Sequence, residues 1–179
     1  MTVLIKTIKV NYDTIEMMLF FWQSIAEKEK VSEAYMREIA EKEEMEYLYG
    51  PEFNKESVRK VLSAISNREL LSESTKKERK FWNNNMWILE DLGNMNNMIM
   101  PVKTLNLDDL KGKFNGETKF DDITVIFIPG HEDEYYIDEK KLVINFCRLM
   151  VDFMDETKVN ISGKPMKEYI EEKILEILK

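Results

Sequence analysis

The chain holds one cysteine, Cys147, and one histidine, His131, in 179 residues. A single cysteine cannot close an internal disulfide, which fits a reducing compartment. One cysteine and one histidine exclude a Cys/His-rich structural zinc site. They also leave His131 as the sole imidazole for any Ser-His or Cys-His arrangement, and no G-x-S-x-G elbow is present. The six glycines are scattered. They form neither a G-x-x-x-x-G-K-[ST] nor a G-x-G-x-x-G phosphate loop, and no cofactor is expected. The longest clean apolar run, "MMLFFW", is far shorter than the roughly 20 residues that cross a bilayer. "MTVLIKTIKVNYD" carries no signal-peptide h-region. The expected location is cytoplasmic, with no membrane association.

Positive charge is also in short supply. Lys and Arg number 26 against 34 Asp and Glu, for a formal charge of -8 and a pI near 4.9. Phosphate-binding proteins normally present a basic surface, so this balance disfavours nucleic acid. One local exception is Lys76, Lys77, Arg79 and Lys80 ahead of Phe81 and Trp82. Both aromatics fall in a core-facing helical stripe, which removes them from a base-stacking platform. An acidic chain suits a basic protein partner. A homo-oligomer is the other association compatible with the sequence.

The patterning predicts a mainly helical α+β single domain, residues 1–179, in the order β-α-α-α-α-β-β-α-α. Residues 2–10 read as a strand. Residues 14–30 read as a helix apolar almost all round, started by an Asp13/Glu16 capping box. "SEAYMREIAEKEEMEYLYG" reads as a second helix. A third runs from an Asn54 cap to Ser66, and a fourth from Ser74 to Leu92 with Gly93 as its stop. Residues 93–120 read as irregular. "DDITVIFIP" and "YYI" are expected to pair as a β-hairpin over residues 121–137, completing a small antiparallel sheet. Leu142, Phe146, Leu149, Met150 and Phe153 recur at helical spacing. They predict a helix over 139–156, capped by Asp138, with Cys147 on its apolar side. A last helix opens at Pro165.

Two candidate sites follow. "GHEDE" places His131, Glu132, Asp133 and Glu134 together, and His131, Glu132 and Glu134 are candidate metal ligands. With Asp121 or Asp122 they could support a metal-assisted hydrolase. Against this, consecutive residues on a tight loop diverge, and charged residues also serve simply to solvate a hairpin tip. The second candidate is a partner surface. Trp87 lies off the apolar stripe of its helix, and tryptophan is enriched at interface centres. Met95, Met98 and Met100 join it as adaptable apolar contacts. No catalytic residue can be singled out. The favoured function is a non-catalytic protein-interaction or regulatory domain, of the immunity or antitoxin type, facing a basic protein.

Overall fold

The computed structural model describes residues 5–113 and 119–178. Thr2, Val3 and Leu4 of the expected first strand lie outside them. The fold is α+β and dominated by helix, as the patterning predicts. Strand β1 (Thr7–Asn11) is followed by helices α1 (Asp13–Ala26), α2 (Glu33–Glu41), α3 (Lys55–Ser66), α4 (Lys76–Glu90) and α5 (Leu92–Lys103). A 3-10 helix, Glu43–Leu48, sits between α2 and α3. Strands β2 (Asp122–Ile128), β3 (Tyr135–Asp138) and β4 (Lys141–Asn145) complete a four-stranded sheet in the order β1-β2-β4-β3. A smaller antiparallel sheet of β5 (Met150–Val151), β6 (Val159–Ile161) and β7 (Lys164–Pro165) leads into α6 (Met166–Leu178).

The expected antiparallel hairpin over 121–137 does not form. β4 inserts between β2 and β3 and pairs parallel with β2 and antiparallel with β3. The tight turn is Glu139–Lys140, with Glu139 at φ 53°. β1 and β2 are parallel, as a connection through five helices permits. The expected helix over 139–156 is likewise replaced by β4, a 3-10 turn (Phe146–Arg148) and β5. Leu142 to Asn145 are buried without interruption. A central strand covered on both faces reads as a continuous apolar run and can imitate a helical stripe. Asp138 therefore ends β3 and caps no helix.

The segment expected to be irregular from residue 93 contains α5. The Asp91 carboxylate accepts the Asn94 N–H and starts it. Met95, Met98, Ile99 and Val102 form its buried face at i, i+3, i+4 and i+7. Gly93 thus lies inside a helix start and does not end α4. α1 begins at Asp13 without a side-chain cap, so the Asp13/Glu16 box is not made. The Asn54 cap of α3 is made reciprocally with Ser57. The same arrangement starts α4: the Thr75 N–H donates to the Glu78 carboxylate, and Glu78 N–H returns to the Thr75 hydroxyl.

Buried side chains from every α-helix and from the four-stranded sheet form one cluster. Trp22, Phe21, Phe53, Phe81, Phe127 and Phe146 are its largest members. Trp22 Nε1 donates to Asn85 Oδ1 at 2.9 Å, which satisfies two polar groups deep in the core. No described helix is long and apolar enough to cross a membrane.

Candidate functional site

His131 follows the end of β2 and is 2% exposed. Its Nδ1 accepts the Glu132 N–H at 2.8 Å. The proton therefore sits on Nε2, which donates to the Leu48 carbonyl at 3.0 Å. The ring packs edge-on to Phe53, with centroids 4.9 Å apart. Nε2 carries the proton and the Nδ1 lone pair is taken by the Glu132 N–H, so no ring lone pair is directed at an ion.

The neighbouring carboxylates diverge. Glu132 approaches Lys76 at 4.0 Å. Glu134 accepts hydrogen bonds from the Ser162 hydroxyl and, at 3.1 Å, from the Tyr169 hydroxyl. Burial, followed by the Glu134 charge, pushes the Tyr169 hydroxyl well above the ordinary phenol range. Asp122 pairs with Lys140 at 3.0 Å at the opposite end of β2. About 20 Å of extended strand separates it from His131. Among the described residues no three His, Cys, Asp or Glu side chains are grouped to hold a metal.

The loop is organised around Asn145 instead. This fully buried side chain accepts the Gly130 N–H at 3.0 Å and the Cys147 N–H at 2.9 Å, and donates to the Asp133 carbonyl at 2.9 Å. Asn84 ties the same loop to α4 through the Gly130 and His131 carbonyls, each at 3.0 Å. Cys147 keeps some accessible area, yet burial around its sulfur pushes the thiol up to about 12. That places it far from a reactive thiolate.

The second candidate surface divides. Trp87 is 41% exposed on α4 and Met100 is 55% exposed on α5. Met95 and Met98 are core residues, 1% and 0% exposed. Phe81 is likewise fully buried and Trp82 partly so, as their place in the stripe predicts.

A different site emerges from the sheet register. Thr124 pairs with Lys141, and Lys141 pairs with Asp138. Asn11 pairs with Ile126. Alternation along each strand puts all five on one face. The 3-10 helix packs beside this face and contributes Glu43, Glu44, Glu46 and Tyr47. Between them lies a groove of about 510 Å³.

Its walls are fixed by hydrogen bonds. Glu44 accepts from the Thr14 hydroxyl at 2.8 Å and from Asn11 Nδ2 at 3.3 Å. The Tyr47 hydroxyl donates to Asp138 at 2.8 Å, and its ring stacks on Tyr136 at 6.2 Å. Burial, then the Asp138 hydrogen bond and the charges of Asp138, Glu43 and Glu44, hold the Tyr47 hydroxyl protonated far above the usual phenol range. Four carboxylates and one lysine, Lys141, line the groove. Carboxylates beside an aromatic ring favour a cationic side chain. In the sequence, Glu41 and Glu44 read as the outer face of a helix. The strand residues facing this segment are Asn11, 33 positions before Glu44, and Asp138, 91 positions after Tyr47.

No protein-family model matches the chain, and comparison with curated proteins and with solved structures finds no significant match.

Proposed function

We propose that this chain is a non-catalytic protein-interaction domain whose acidic sheet groove receives a Lys- or Arg-bearing segment of a basic protein, as an immunity or antitoxin-type partner would. The supporting observation is the groove itself. Sheet register and the 3-10 helix bring four carboxylates and the Tyr47 ring to one concave face against a single lysine. The net charge of -8 adds long-range attraction for a basic target. The geometry favours this reading over a metal-assisted hydrolase, because both His131 nitrogens and the Glu134 carboxylate are bound within the chain.

Calorimetric titration with a synthetic Arg/Lys-rich peptide tests the proposal. Binding should weaken steeply with salt, because exposed charge pairs are screened within about 10 Å at 0.1 M. Glu43→Lys with Glu46→Lys should reduce the affinity at least tenfold, through lost attraction and added repulsion. Equal binding by the double variant, or none by the wild type, would overturn it.

A further inference from the structure

The loop between β5 and β6 presents Phe153 and Met154 to solvent at 98% and 87% exposure. Free aromatic tips are usually mobile, but this one is fastened. Asp152 accepts the Met154 N–H at 2.8 Å, the Asp155 N–H at 3.1 Å and Asn160 Nδ2 at 3.0 Å. The Asp152 N–H donates to the Lys158 carbonyl at 2.8 Å across the base of the loop. The result is an apolar knuckle whose backbone is ordered before any contact forms.

Asp152, Glu156, Thr157 and Lys158 of the same loop border a groove of about 840 Å³, running between the end of α5 and the small sheet. Met100, Pro101, Leu105 and Val159 supply its apolar lining. A knob and a hole built around one loop are the elements of an isologous contact, in which each copy inserts into the other. We propose that this face pairs with a second copy of the chain, with Phe153 and Met154 of each protomer seated in the α5 groove of its partner.

Charge and area select that occupant. The groove rim carries Asp152 and Glu156 together with Lys158 and Lys167. These charges are largely matched within the chain, Lys167 by Asp109 at 2.8 Å and Lys158 by Asp155 at 3.8 Å, so a two-fold copy meets a rim without an excess of one sign. The acidic groove beside the 3-10 helix, with four carboxylates to one lysine, would repel its own copy. Met150 and Met100, each more than half exposed, extend the apolar surface. The four side chains together expose on the order of 500 Å². That is at the upper end of what a monomer normally leaves bare, and over half of the roughly 800 Å² per partner in a standard interface.

The inference does not rest on the acidic groove, and salt separates the two. Basic-peptide binding weakens with salt. Self-association of two chains of charge -8 through an apolar contact should hold or strengthen at about 0.5 M NaCl, where their repulsion is screened. Sedimentation equilibrium of the full chain is expected to give twice 21.3 kDa at high concentration. Phe153→Asp and Met100→Glu alter exposed positions and should fold as the wild type does. Each should weaken the dimer at least tenfold. Mixing the two variants should restore part of the dimer, because one knuckle and one groove remain intact across that pair. A monomer mass up to about 1 mM, a dimer indifferent to Phe153→Asp, or no recovery on mixing would each overturn the proposal. The first of these would leave the groove to a foreign protein.

Discussion

Replacing His131 with alanine separates a structural histidine from a metal ligand. The substitution removes the Nε2–H donor to the Leu48 carbonyl and the Nδ1 acceptor of the Glu132 N–H. Leu48 is 3% exposed, so its carbonyl loses a partner that water cannot easily replace. An unsatisfied buried group costs about 1–3 kcal/mol, and the half-buried Glu132 N–H adds about 1 kcal/mol. Loss of the ring from its edge-on contact with Phe53 leaves a cavity worth roughly another 1–2 kcal/mol. The total is about 4 kcal/mol, which lowers Tm by on the order of 10 °C in a domain of this size. Thermal unfolding should show this drop equally with and without EDTA, and added zinc should not shift the wild type. If His131→Ala left Tm unchanged, or if EDTA reproduced its loss in the wild type, the structural assignment would be refuted.

Two further stability outcomes follow from neighbouring contacts. A Cβ at Gly130 would lie 2.5–2.8 Å from three Asn145 side-chain atoms, and Asn145 cannot yield without dropping its three hydrogen bonds. Gly130→Ala should therefore cost about 2–4 kcal/mol, read as a lower urea midpoint at unchanged m. Burial alone would raise the Glu78 pKa, but hydrogen bonds from Ser57, the Thr75 backbone and Lys60 reverse this and hold it below the ordinary carboxylate value. Its folded pKa is thus below its unfolded one. The stability it contributes is present above the unfolded value of about 4.3 and is lost as pH falls through the folded pKa. Glu78→Gln should be less stable at pH 7 and should lose less on acidification, in urea melts at pH 7 and about pH 3.5. An equal acid loss in both proteins would contradict the assignment.

Local signals in the sequence match the structure where they are independent of distant partners. α3 begins at its Asn54 cap and ends at Ser66, and β2 matches the β-branched run "ITVIFI". The failures arose where tertiary context decides. "LVIN" is buried on both faces because it fills the place between β2 and β3, and that location cannot be seen in periodicity. The Asn-rich stretch before Pro101 suggested a loop, yet its Met and Ile spacing is that of a helix stripe. Phe153 has the spacing of a buried helical stripe and is almost wholly exposed. His131 illustrates the same limit. Its acidic neighbours suggested a ligand set, whereas its partners are backbone groups as distant in sequence as Leu48. The acidic groove was illegible because one wall is a local 3-10 helix and the other is assembled from β1, β2, β3 and β4, joined to it by the long-range bonds from Asn11 to Glu44 and from Tyr47 to Asp138.

The central claim is that the sheet groove binds cationic side chains of a protein. Amide NMR of the 15N-labelled chain, titrated with the Arg/Lys-rich peptide, tests it most directly. The account predicts saturable shifts centred on Asn11, Glu44, Tyr47, Thr124 and Lys141, absent with a Gln-substituted peptide. Shifts scattered over the acidic surface without saturation, or centred away from these residues, would contradict it.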